Sequence, residues 1–258
     1  MDNLKRVRYV KSPLKEVIFQ LRYPTILSIN SRQPVVFQDK IRDIYPFFEE
    51  QLEEVGNVMV NPQLNVATMK KTAENKNYAF ISKDKKTKIN LTPSFISIST
   101  KEYTQWEDFK KQIEFVIPLF ENEYQPSFYT RVGLRYIDVI IRSELNLNEK
   151  HWTELIQPHV LGLVTQEIEN GIKSYFSEME YETKEEQVLS KAHFELVHIN
   201  NQRELSLLID CDYYILEITN LNEMKSKAEK LHTASSQFIQ TAIMPVLHQA
   251  MQPVEIEI

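Results

Sequence analysis

Three residues near the middle of the chain, Arg131, Gly133 and Arg135, have the spacing of one face of a β-strand. Apolar and aromatic residues occupy the alternate positions, so a strand would place both guanidinium groups on the same side. A glycine inside a strand often marks a bulge or a close approach by another backbone or a ligand. Two arginines beside such a gap could bind a carboxylate or phosphate through paired hydrogen bonds. The alternative is that they pair with acidic residues across the sheet.

We expect this structural role for Arg135 and a ligand or partner contact for Arg131. Two aspartates are candidates for the acidic side, because Asp210 and Asp212 share a strand face on either side of Cys211. Paired carboxylates can also bind a divalent metal or share a proton. Glu217 has the opposite strand parity, so the spacing supplies no third carboxylate. We therefore predict pairing with arginine, no metal site and no cofactor, and keep Asp210 and Asp212 as weak metal candidates.

Other catalytic motifs are not found. The six histidines lack the spacing of known metal motifs, and no Gly-x-Ser-x-Gly sequence occurs. Cys211 lies in an apolar stretch, where a thiol is a poor nucleophile. His232 is expected to be a core or interface histidine. Only four glycines occur and none cluster, which argues strongly against dinucleotide-binding and P-loop enzymes.

Composition limits the class of protein further. A single cysteine excludes an internal disulfide, and no apolar run approaches the roughly 20 residues of a membrane span. We therefore expect a cytoplasmic protein without membrane contact. The net charge of −6 argues against a wholly basic nucleic-acid binder. Residues 1–42 nevertheless carry nine Lys and Arg against three Asp and Glu, whereas residues 167–186 carry seven Glu against two Lys.

Hydrophobic periodicity predicts the elements that position these residues. In the first half it predicts a strand at 14–23, a helix at 37–55 that Pro46 kinks or splits, strands at 58–71, 77–83 and 87–100, and a helix at 103–124. In the second half it predicts a strand at 128–142, a short helix at 148–157, strands at 173–182, 187–199 and 204–218, and a helix at 222–250 that Pro245 bends or breaks. A stripe in the 103–124 helix is expected to face the sheet: Trp106, Phe109, Ile113 and Phe120.

The order of elements is the same in both halves. The sequence therefore predicts an α+β fold of two pseudo-repeated β-α-β-β-β-α units, residues 1–126 and 127–258, and we expect the two units to form one compact body. The sheet is expected to be mainly antiparallel with the helices on one face.

Two segments carry a family resemblance: SPLKEVIFQLRYP at 12–24 and RVGLRYIDVI at 131–140, with a weaker one in LLIDCDYY at 207–214. In this order they resemble a sporadically distributed prokaryotic family of roughly this length, for which no activity or catalytic residue is established. The patchy distribution of that family implies accessory or mobile genes, including defence islands. Asp138 stands where the family pattern has Asn.

These observations favour a non-enzymatic binding or assembly protein, as the sensor or partner subunit of a defence-type operon. A protein partner or self-association is expected, and the operon role follows from the resemblance alone. Two alternatives stay open. One is a metal-dependent nuclease or hydrolase that uses Asp210 and Asp212, and the other is a nucleic-acid or nucleotide binder that uses the basic N-terminal stretch.

Overall fold

The fold is described by a computed structural model that covers residues 7–61, 66–198 and 204–255. Its strands are β1 (Val7–Tyr9), β2 (Leu14–Arg22), β3 (Phe47–Asn61), β4 (Val66–Ile81), β5 (Thr87–Leu91), β6 (Phe95–Thr100), β7 (Arg131–Ile140), β8 (Tyr175–Glu182), β9 (Leu189–Val197), β10 (Ser206–Ile215) and β11 (Pro253–Glu255). Its α-helices are α1 (Leu27–Ser31), α2 (Val35–Ile41), α3 (Trp106–Tyr124), α4 (Trp152–Leu155), α5 (Pro158–Leu161), α6 (Gln166–Glu169), α7 (Met224–Ala242) and α8 (Pro245–Ala250).

Nine of these strands form one sheet in the order β3-β4-β5-β6-β2-β7-β10-β9-β8. Every neighbouring pair is antiparallel, and β2 and β7 lie side by side at the centre. The α+β class with a large antiparallel sheet is therefore confirmed. Among the described residues, no helix combines the length and the apolar character needed to cross a membrane.

One face of the sheet is apolar and forms the core. Phe19 on β2 lies opposite Leu134 on β7, and Leu134 lies opposite Tyr213 on β10. All three are almost fully buried. The helix α3 covers part of this face, and its predicted stripe is confirmed as buried: Trp106, Phe109, Ile113 and Phe120. The helix α7 packs over β7 and β10, and its Phe238 stacks on Phe194.

Two segments that hydrophobic periodicity predicts as single helices are each divided by a proline. The predicted helix at 37–55 is wrong beyond its first turns, because α2 ends at Ile41 and β3 begins at Phe47, directly after Pro46. Proline removes a backbone donor and clashes with the preceding turn, so a helix does not continue through it easily. Pro245 divides the last predicted helix into α7 and α8 for the same reason, as expected.

The strands β1 and β11 form a separate two-stranded ribbon. Val7 pairs with Glu255 and Tyr9 with Pro253, and two backbone hydrogen bonds continue this contact from Val10 and Lys11. The Tyr9 hydroxyl and His248 Nδ1, on α8, are 2.9 Å apart. The strand β11 covers the first three residues of the segment 253–258, and the remaining three lie outside the described residues.

Candidate functional site

The predicted arginine pair lies on the sheet face opposite the core. The guanidinium of Arg131 folds back over Gly133, so that a Cβ atom at Gly133 would lie 2.1 Å from Arg131 Nη1. From this position Arg131 donates hydrogen bonds to Asp212 at 2.7 Å and to Gln20 at 3.1 Å. Its guanidinium carbon also lies 4.7 Å from the centre of the Tyr214 ring. The space that glycine leaves is therefore filled by the side chain of Arg131 itself.

Arg135 binds Asp210 through two hydrogen bonds, one of them from Nε at 2.6 Å. The hydrogen bond from Asp210 raises the pKa of the guanidinium. Both arginines thus pair with aspartates across the sheet, which is the structural alternative considered above. The pairing of Arg135 is the structural role expected for it, and Arg131 makes a similar pair; the side chain of Arg131 is 12% exposed and that of Arg135 is 44% exposed.

These pairings also bear on the metal hypothesis. A cation at Asp210 and Asp212 would have to displace both guanidinium groups. Glu217 binds Lys227, which also donates to Thr219 at 2.9 Å. Within the part of the chain that the structure describes, no group of three or more His, Cys, Asp or Glu side chains is placed to hold a metal ion.

A cavity with a volume of about 500 Å³ lies on the other face of the sheet. Strands β7 and β10 form its floor, α7 and the start of α3 form two walls, and the ribbon of β1 with Met251 forms a third. Most of its lining is apolar or aromatic. Such a volume and lining are typical of small-molecule sites. Its apolar wall includes Leu14, Ile209, Phe238, Ile239 and Met251.

A carboxylate lines this apolar cavity. Asp138 shares the core face of β7 with Leu134 and Tyr136, and its register neighbours on the flanking strands are Leu14 and Ile209. No hydrogen bond or ion pair from any described residue reaches the carboxylate. Burial raises the pKa of Asp138 to about 7, and the positive charge of Lys15 opposes that shift. An ionised carboxylate in such surroundings is costly until a partner neutralises it.

The aromatic wall of the cavity is held by contacts between helices. His232 on α7 stacks flat on Trp106 of α3, with ring centres 4.7 Å apart. A hydrogen bond of 3.1 Å joins His232 Nδ1 to the Tyr136 hydroxyl. Glu229 accepts from Trp106 Nε1 at 2.8 Å and from Lys110 Nζ at 2.5 Å. His232 is thus the interface histidine that the sequence predicts, and the wall is fixed in place.

The floor offers little nucleophilic chemistry. Cys211 is buried, and burial raises the pKa of its thiol well above the usual range. A thiol that stays protonated is a weak nucleophile, so the prediction of an inert cysteine agrees with its surroundings.

Sequence reasoning noted Asp138 only as a departure from the family pattern and did not predict its position in a cavity. The alternation of residues in β7 did contain a signal for this position. In the alternation of β7, Asp138 takes the same parity as Val132, Leu134 and Ile140, so a charged residue occupies the apolar face of a central strand. A charge at such a position requires a partner or a function.

The sequence was compared with families and with individual proteins. No protein-family model matches the chain, and no curated protein matches it closely enough to count as a relative.

Proposed function

We propose that this chain is a non-enzymatic binding protein that holds a small molecule in the cavity between the sheet and α7. The observation that carries this proposal is a cavity of about 500 Å³ whose lining includes a carboxylate without a protein partner. Two other groups that often act as base or nucleophile are engaged or inactive there. His232 is bound to Tyr136 and stacked on Trp106, and the pKa of Cys211 is raised.

The binding of a neutral fluorescent probe tests access to the cavity. N-phenyl-1-naphthylamine is uncharged at neutral pH and becomes bright in apolar surroundings. We expect saturable fluorescence with the wild-type protein and its loss in Ser236→Trp, which fills the cavity from α7. Thr233→Trp is the matched control, because Thr233 lies on the exposed side of the same helix and outside the cavity. Equal probe binding by both variants, or none by the wild type, would overturn the proposal.

A sensor or partner subunit of a defence-type operon is the biological role that we propose for such a binder. A sensor must report its ligand to something else, so this role predicts a protein partner or a second copy of the chain. Light scattering gives the molar mass of the protein with and without bound probe, and so shows directly whether two copies of the chain associate. On the opposite face of the sheet, Arg131 and Arg135 are paired with carboxylates, and so no observation favours the metal-enzyme or phosphate-binding alternatives.

We also infer that the two halves are repeats with their helices on a common face. The strand order supports this inference, since β6, β5 and β4 follow outward from β2 as β10, β9 and β8 follow outward from β7. In each half the last strand of the large sheet is followed by a helix of 19 residues, α3 or α7. Among the described residues, the strand β3 has no counterpart in the second half. Superposition of β4–β6 with α3 on β8–β10 with α7 tests the relationship, and a helix on the opposite face would contradict it.

A further inference from the structure

The carboxylate of Asp138 lines the cavity without an ion-pair partner among the described residues. Lys15 is the one cation whose field acts on Asp138, and its ammonium group lies 3.6 Å from Glu144 in an exposed ion pair. Among the described residues, no cation makes an ion pair with Asp138. Asp138 is only partly exposed, and shielding a carboxylate from water without supplying a partner is unfavourable. A group from outside the protein could supply that partner.

The lining indicates what kind of cation fits. Divalent metals require several oxygen ligands, whereas Asp138 is the carboxylate among the apolar walls and Glu102 lies at the exposed edge of the cavity. Leu14, Ile209, Phe238 and Ile239 instead suit the hydrocarbon part of an organic molecule. Tyr103 and Tyr136 also line the cavity and meet edge to face, with ring centres 5.9 Å apart. Aromatic faces attract cations, so these rings, like Asp138, favour a positively charged ligand.

We infer that the cavity takes a small organic cation, an amine whose ammonium group pairs with Asp138 while its apolar part contacts the walls beneath α7. This inference rests on the proposed binding function and names the class of ligand for that site. The ammonium group would neutralise the charge of Asp138, with which no described cation forms an ion pair. Its hydrogen bonds to the carboxylate would be charge-assisted and shielded from water, which strengthens them.

Three indole compounds that differ in one group test the inference. Tryptamine carries an ammonium group, tryptophol a hydroxyl and indole-3-acetate a carboxylate. Each is titrated against bound N-phenyl-1-naphthylamine. We expect tryptamine to displace the probe with an affinity about tenfold higher than that of tryptophol. Indole-3-acetate should be the weakest, because its charge repels Asp138.

Two variants assign the preference to one carboxylate. Asp138→Asn should bind the probe normally and lose the advantage of tryptamine over tryptophol. Glu102→Gln removes a negative charge from the exposed edge of the cavity and should keep that advantage. If Glu102→Gln abolishes the preference and Asp138→Asn does not, attraction at the edge explains it and the inference is wrong.

A pH series adds an independent readout. Tryptamine should bind more tightly as the pH rises from about 5.5 to about 8, because Asp138 loses its proton in this range. Other ionisable groups line the same cavity: Tyr103, Tyr136, Tyr213, Cys211 and His232, with Arg8 and Tyr9 from β1 and Lys101 and Glu102 at the edge. Lys15 lies outside the lining, although its charge acts on Asp138. The dependence must therefore vanish in Asp138→Asn, and its persistence there would overturn the assignment. If the probe binds but tryptamine never displaces it, the cation assignment fails while the binding proposal stands.

Discussion

At the scale of single residues, Asp138 shows how a site can oppose the stability of its own fold. A carboxyl group in the unfolded chain has a pKa near 3.9, whereas in the folded protein burial raises the pKa of Asp138 to about 7. Between these values the folded protein holds a proton that the unfolded chain has released. By linkage, the contribution of Asp138 to stability is full below about pH 4 and is lost as the pH rises through about 7.

The variant Asp138→Asn should remove this pH dependence. From about pH 4 to about pH 8, the free energy of unfolding of the variant should rise relative to wild type by about 3–4 kcal/mol. Urea melts of both proteins at the two pH values measure the change. The comparison between pH values cancels any constant cost of the amide. A difference that does not change with pH would show that the carboxyl titrates normally.

Gly133 and Arg131 should be coupled in stability, because the guanidinium of Arg131 occupies the space above Gly133. Gly133→Ala should displace this guanidinium from Asp212 and Tyr214 and cost about 1–2 kcal/mol. In an Arg131→Ala background the same change should be neutral or slightly stabilising, since alanine suits a strand better than glycine. A double-mutant cycle by denaturant melts measures the coupling, and additive losses would contradict the explanation.

At the scale of elements, α3 stabilises the sheet through one face. Phe109→Ala should lower the free energy of unfolding by about 3–5 kcal/mol, because the ring is buried on all sides. Phe115, on the outer side of the same helix, is 39% exposed, and Phe115→Ala should cost much less. Urea denaturation of both variants measures the contrast. Equal losses would mean that α3 does not pack by its predicted stripe.

The short helices between β7 and β8 depend on a buried carboxylate. Glu169 is 3% exposed and accepts hydrogen bonds from Arg142 Nη1 at 2.5 Å and from the Trp152 backbone at 2.9 Å. Glu169→Ala should leave the Arg142 guanidinium without this partner and cost about 3–5 kcal/mol. Glu167→Ala, two residues away and exposed, should change stability by less than about 1 kcal/mol. Thermal melts with similar losses for both would contradict a specific role for Glu169.

Element type followed from the sequence where one periodicity dominated, as in α3 and β7. It did not in residues 37–55, because Phe48 and Leu52 are four apart. A spacing of four fits one helical face and also one strand face, since four is an even number. The alternation in β7 showed which side of the strand the arginines occupy. Their aspartate partners were correctly named, but the cavity was not foreseen, because its walls come from segments far apart in the sequence.

At the scale of the whole molecule, the first and last described strands close one wall of the cavity. This β1–β11 ribbon pairs over three residues from each strand and is not part of the large sheet. So few backbone pairs should open much more often than the protein unfolds as a whole. The Tyr9 hydroxyl reinforces the ribbon through its contact with His248, and burial raises the pKa of Tyr9 to about 12.

The separation of the ribbon from the sheet implies that residence time and affinity have different structural origins. Affinity would follow from the charge of Asp138, whereas the rate of escape would follow from how often the ribbon opens. Tyr9→Ala should therefore speed release of N-phenyl-1-naphthylamine several-fold in stopped-flow dilution, with global stability reduced far less than in Phe109→Ala. Asp138→Asn should leave that rate unchanged, because the probe is neutral. A binding protein built in this way could change how long a ligand stays bound without changing which ligand it prefers.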